Sequence, residues 1–127
     1  MKHFPADFYA HLDSHTLVGI KGGSHRDRFL KIWMVYIGER VFARSWGKSE
    51  RSWFTAFIEE GKGQIEYGEK IINVTGKPCD DVKVNKEIDA AYKRKYTSKG
   101  NLPYVKCITQ PEYIHFTMEF FFTSDAS

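Results

Sequence analysis

The chain is poor in the residues that mark specialised architectures. Of its 127 residues only two are cysteines and four are prolines. Cys79 and Cys107 match no metal-ligand spacing, and a domain of this length needs no disulfide framework, so a reducing compartment is expected. Long apolar runs are also missing. The longest, Ile32 to Ile37, is far short of the roughly 20 residues that cross a bilayer, and the first residues lack the apolar segment of a secretory signal. The expectation is a soluble, cytoplasmic protein with no membrane role. One-sided charge is absent too: 19 Lys and Arg stand against 16 Asp and Glu. A surplus of +3 does not by itself point to nucleic acid. No dinucleotide or phosphate-loop glycine frame occurs, and His11 and His15, although spaced to share a helix face, have no acidic partner in a zinc-protease pattern. No metal site is expected, and neither cysteine sits in a nucleophile elbow.

What the chain does have is aromatic mass, 16% of all residues, which supports a packed interior or a stacking pocket. Its length fits one domain, 1–127. Phe4, Phe8, Tyr9 and Leu12 are spaced for an amphipathic helix over residues 1–15, capped by Asp7 and lying as a lid. Thr16 to Ile20 reads as a strand ended by Gly22-Gly23. Phe29 to Ile37 and Arg40 to Trp46 form a hairpin about Gly38-Glu39, with opposed positions summing to 77, so that Trp33 faces Arg44. A helix over 49–60 follows, capped by Ser49 or Ser52 and stopped by Gly61. Gln64 to Tyr67 and Lys70 to Thr75 make a second hairpin, broken at Gly76-Lys77-Pro78. A helix over 85–96 buries Ile88, Ala91, Tyr92 and Tyr96. Val105 to Thr109 and Tyr113 to Phe122 read as closing strands. Six or seven short strands with two to three helices and no βαβ alternation predict a mainly β, α+β fold, an antiparallel barrel or rolled sheet.

Charge is concentrated locally. Residues 21–51 hold eight Lys or Arg against three acids, a local +5, while residues 107–127 hold no Lys or Arg. Arg44, Ser45, Trp46, Lys48 and Ser49 gather two cations and two hydroxyls where a strand hands over to a helix N-terminus, a setting for phosphate. The alternative is that Arg44 and Lys48 are solvated and Ser49 only caps the helix. Arg26 and Arg28, just before the Phe29 strand, converge on the same place across the predicted hairpin, in which Lys31 opposes Trp46. Trp33, Trp46 and Trp53 supply flat surfaces for a planar ring, unless they are simply core. A basic aromatic face such as Arg40 to Lys48 also suits single-stranded nucleic acid, but the acidic last strand and the modest total charge argue against it.

The stretch from Arg28 through Ser49 and Ser52-Trp53-Phe54, with Asp89-Ala-Ala-Tyr-Lys-Arg-Lys-Tyr96, resembles a family of small bacterial proteins of unknown function, numbered 2255. That family is similar to the split β-barrels of pyridoxamine phosphate oxidases, flavin reductases and deazaflavin-dependent nitroreductases. The resemblance implies a split barrel over 16–122, a homodimer, and FMN or a deazaflavin bound between subunits. It places Arg28, Lys31, Arg44, Ser45, Lys48 and Ser49 near the phosphate, with Gly47 where the oxidases carry arginine. Pyridoxamine phosphate oxidase activity itself is not expected. If the protein is an enzyme, it is a flavin- or deazaflavin-dependent oxidoreductase; the alternative is a dimeric barrel without flavin that binds another small anion or a protein partner.

Overall fold

The computed structural model describes residues 3–24, 26–46 and 52–126. Among these, seven strands form one antiparallel sheet: β1 Val18–Gly22, β2 Leu30–Ile32, β3 Val35–Ile37, β4 Arg40–Arg44, β5 Lys62–Tyr67, β6 Lys70–Pro78 and β7 Thr117–Asp125. The helices are α1 Ala6–Ser14, α2 Trp53–Glu60, α3 Val82–Lys95 and α4 Leu102–Ile108, with a 3-10 helix at Pro111–Phe116.

The strand order is β2-β1-β5-β6-β7-β4-β3, so β2 and β3 are the two edges of the sheet. Only Trp33 and Met34 separate them in sequence. Two residues bridge a short gap, so the edges must lie close together and the sheet must curl into a split, half-closed barrel. This corrects the expected single strand from Phe29 to Ile37. The β3–β4 register does follow the sum of 77, from Val35 opposite Phe42 to Ile37 opposite Arg40, but it does not extend to Trp33 and Arg44. At Met34 side chains replace the ladder: the Tyr96 hydroxyl accepts from Met34 N–H at 3.1 Å, and Lys95 Nζ donates to Met34 C=O at 2.7 Å.

The two tight hairpins turn at Gly38 and Gly68, with φ of 61° and 59°. No described non-glycine residue has positive φ, as first-position glycine in a II′ turn requires. The second hairpin runs on through Gly76 to Pro78, pairing with β7 as far as Met118. Pro78 ends the strand where its missing N–H is harmless.

One expected strand is a helix and another starts later than expected. Leu102–Ile108 is helical, with Pro103 in its first turn, so this proline begins a helix rather than closing the previous one. Tyr113 to Phe116 belongs to the 3-10 helix, and β7 starts only at Thr117. Two helix starts also differ from expectation. Helix α2 begins at Trp53, with Ser52 Oγ accepting from Thr55 N–H. Helix α3 begins at Val82, capped by Asp81 through Val84 N–H at 2.9 Å.

One core fills the barrel with Ile20, Ile65, Ile72, Val74, Met118 and Phe120. Helix α1 contributes Phe8 and Leu12 to it and α2 contributes Trp53 and Phe57. Asp7 does not cap α1; it receives hydrogen bonds from Lys70 and from the Tyr67 hydroxyl, tying the helix to the β5–β6 hairpin. A second core lies on the other face of β3 and β4, where Val35 and Phe42 meet Ile88, Tyr92, Tyr96 and Ile108. Strand β4 is therefore buried on both faces, which accounts for the unbroken apolar run Val41-Phe42-Ala43.

Candidate functional site

A cleft of about 730 Å³ opens at the barrel seam, walled by β1, the segment from Arg26 to Trp33, the end of β4 and the start of α2. It lies within the roughly 300–1,000 Å³ of small-molecule sites. Strand alternation sends Ile20 inward to its floor, while Trp53, only 7% exposed, closes the barrel side. Trp33 follows from the crossover between the sheet edges. Its ring stacks on Tyr96 at 4.0 Å with planes 9° apart. Trp46, 43% exposed, meets Trp33 edge-on at 6.4 Å.

Four cations line the cleft: Lys21, Arg26, Arg28 and Lys31. Among the described residues no carboxylate lines it. Glu66 approaches Lys31 from outside at 3.9 Å, a solvated pair of little strength. Lys21 Nζ lies over the Phe29 ring, 4.6 Å from its centroid. An apolar, indole-walled cleft with a cationic rim suits a planar ring carrying an anionic group.

Of the residues singled out from sequence, the structure brings Arg28, Lys31, Trp33, Ser45, Trp46 and Trp53 to this cleft. Lys48 and Ser49 lie outside the described residues. Arg44 is elsewhere, and the expectation that it grips a phosphate is replaced by a different role. Its side chain is 1% exposed and points into the second core. Nε donates to Thr117 Oγ1 at 3.0 Å, and Nη2 donates to the Asn85 carbonyl at 3.2 Å and to Asn85 Oδ1 at 2.9 Å. Nη1 donates to the Ile108 carbonyl at 3.1 Å and to the Asp89 carboxylate. All five guanidinium N–H groups are thus used within the fold. The Tyr92 hydroxyl accepts from Arg44 N–H at 2.9 Å, and burial pushes its pKa up to about 12. Arg44 anchors the strand that delivers Ser45 and Trp46.

Arg26, expected with Arg28 to converge on the basic loop, does line the cleft, whereas Lys21 and Phe29 were not singled out as site residues. The local charge density over 21–51 included Lys21, but only the sheet order shows that β1 forms a wall of the cleft. His11 and His15 stack face to face at 3.9 Å. Among the described residues no group of three or more His, Cys, Asp or Glu is placed to hold a metal. No described helix is long and apolar enough to cross a membrane.

The fold has solved counterparts. The conserved hypothetical protein Rv2991 of Mycobacterium tuberculosis aligns over 100% of this chain and 83% of its own, with a TM-score of 0.60 at 10% identity. A candidate pyridoxamine 5′-phosphate oxidase of Listeria innocua aligns over 95% of this chain and 92% of its own, with a TM-score of 0.58 at 8% identity. At such identities the likeness is one of fold. No curated protein sequence matches the chain. The family profile matches residues 18–120, from the first strand of the sheet into the last, so the chain belongs to the uncharacterized proteins conserved in bacteria, DUF2255.

Proposed function

We propose that the seam cleft binds a phosphate-bearing flavin, FMN or a deazaflavin, and that the protein is a split-barrel oxidoreductase acting as a homodimer. The observation that carries this reading is the composition of the cleft: four cations, no lining carboxylate among the described residues, and indole walls in about 730 Å³. Arg28 and Lys31 hold the phosphate, with Lys21 and Arg26 beside them. Trp33 and Trp46 bound the ring, and Trp53 with Ile20 and Ile32 keeps the inner end dry. The flavin, when bound, supplies hydride or electron transfer; the chain's own residues bind and orient it. The split-barrel fold shared with the Listeria innocua protein is consistent with such a ligand. Leu17, Leu30, Trp46 and Tyr104 are exposed, an apolar border on which a second chain would complete the enclosure.

Titration with FMN at fixed low salt tests the reading. Binding in the micromolar range is expected, weakening with salt and falling at least tenfold in the Arg28→Ala/Lys31→Ala double variant. No binding at millimolar FMN or deazaflavin overturns it. One observation favours a second reading, a barrel that takes another small anion instead of flavin: the arginine expected in a phosphate clamp is built into the core. In that case phosphorylated metabolites, and not flavins, would shift the indole resonances of Trp33 and Trp46.

A further inference from the structure

A second cavity, of about 540 Å³, lies along β3 between the end of α1 and the last turn of α3, and it shares no lining residue with the seam cleft. Strand β3 is an edge of the sheet, paired on one side only, with β4. The residues that flank a two-residue hairpin turn exchange hydrogen bonds, so Ile37 and Val35 direct their backbone groups to β4. Tyr36 therefore turns its N–H and C=O outward, to the cavity side. Leu12, Val35 and Ala91, all buried, supply apolar walls.

Three ionisable side chains meet on these walls. Lys95 comes from α3, and its Nζ donates to the Met34 carbonyl at 2.7 Å. Arg94, its exposed neighbour on the same helix, lines the same cavity. Asp13 comes from α1, accepts from the Tyr36 hydroxyl at 2.7 Å, and is the one carboxylate among the described lining residues. The His11 imidazole of α1 also lies within electrostatic reach of Lys95. Burial lowers the Lys95 pKa from 10.5 to about 8, against the opposing pull of Asp13, which leaves about a tenth of the amine unprotonated at pH 7. An unprotonated amine tied by one N–H to a backbone carbonyl keeps its lone pair for another partner. Such an amine on an apolar wall is a nucleophile for carbonyl carbon, a guanidinium and an outward backbone N–H are donors for a carboxylate, and a carboxylate within the same cavity carries protons.

We propose that this cavity takes a small carbonyl compound bearing a carboxylate, a 2-oxo acid in its simplest form, and that Lys95 joins it as an imine. Lys95 Nζ attacks the carbonyl carbon, and the C–N bond forms as the carbonyl π pair moves to oxygen. The two amine protons pass to that oxygen with Asp13 as carrier, the C–O bond breaks, and water leaves. Nothing is oxidised or reduced. The carboxylate of the ligand rests against Arg94 and the Tyr36 N–H. The site is separate from the seam cleft, so the inference does not depend on flavin binding there.

The full chain is incubated at neutral pH with glyoxylate, or with propanal as an uncharged control, in the presence of cyanoborohydride, which reduces an imine to a stable secondary amine. Peptide mass mapping then locates the label. Glyoxylate is expected to label Lys95 at least tenfold faster than any other lysine, and this preference should disappear when the protein is unfolded in urea. Propanal should favour Lys95 less. Arg94→Gln should slow glyoxylate labelling of Lys95 at least fivefold and leave propanal labelling within twofold. Glyoxylate label spread evenly over the lysines of the folded chain overturns the imine. A preference for Lys95 that is equal for both reagents, or that Arg94→Gln leaves intact, overturns the anionic ligand.

Discussion

Arg44 shows how a residue's role depends on partners that sequence neighbours do not reveal. In the chain it stands among Arg40, Lys48 and Arg51, and that company suggests an exposed anion site. In the fold its guanidinium joins Asn85, Asp89, Ile108 and Thr117, all at least 41 positions away. The clue available beforehand was positional: Arg44 continues a strand in which three successive residues are apolar, the mark of a strand buried on both faces. Replacing it with methionine leaves the Asp89 carboxylate and the Ile108 carbonyl without this donor, and leaves Asn85 Oδ1 with only the Thr117 hydroxyl. Loss of one partner from a buried charged network costs about 3–5 kcal/mol. Urea unfolding of Arg44→Met should show a loss of this size, and Arg44→Lys should recover only a part, because an ammonium cannot serve acceptors spread around a planar fork. Adding Asp89→Leu to Arg44→Met should return some of the loss by removing the stranded carboxylate. Wild-type stability in Arg44→Met would contradict the anchoring role.

At the scale of elements, the two hairpins and the register of the first were legible, because glycine-led two-residue turns and period-2 patterning agree. The break at Trp33-Met34 was not, since both strands are apolar and the chain changes sheet edge without a turn residue. Nor was α4, whose β-branched residues suit a strand until α3 and the outer face of β3 and β4 are present to bury Val105 and Ile108. The docking of α2 depends on a feature spread over three strands. The Phe57 ring sits in a pit made by Gly22, Gly63 and Gly76 on the adjacent strands β1, β5 and β6. A Cβ at Gly76 would stand 2.6 Å from the Phe57 ring, and one at Gly63 would stand 2.5 Å from that ring and 2.3 Å from the Lys21 carbonyl. Each alanine substitution should therefore destabilise by about 1–3 kcal/mol. The two differ in what relieves them. Phe57→Leu should rescue much of Gly76→Ala, where the ring is the main obstacle, and little of Gly63→Ala, where backbone is. Equal rescue of both, measured by thermal unfolding, would show that the helix and not the strand backbone yields.

The whole molecule is closed at two places by titratable side chains, and these give its stability a defined alkaline profile. At the seam, Lys95 is half-buried and donates to the Met34 carbonyl that joins the sheet edges; burial lowers its pKa from 10.5 to about 8, against a smaller opposing pull from Asp13. At the α1 end, Tyr67 donates to Asp7, and burial together with that hydrogen bond raises its pKa from 10.0 to about 12. Tyr92, under Arg44, is raised to the same level by burial. Between about pH 8 and 10.5 the unfolded chain holds a proton on Lys95 that the folded chain has released, so stability rises with pH. Between about pH 10 and 12 the unfolded chain has lost phenolic protons that folded Tyr67 and Tyr92 retain, so stability falls. The maximum should stand near pH 10, higher than is common for proteins of this size. With allowance for solvent at the half-buried ammonium, the rise due to Lys95 is about 1–2 kcal/mol. Urea midpoints measured across this range should show the rise in the wild type and its absence in Lys95→Met, with the fall above pH 10 kept in both. A Lys95→Met profile with the same rise would place its origin elsewhere. Loss of the alkaline fall in Tyr67→Phe would assign that limb to the α1 closure, and an unchanged fall would assign it to the buried Tyr92 and Tyr96, whose pKa values burial also raises.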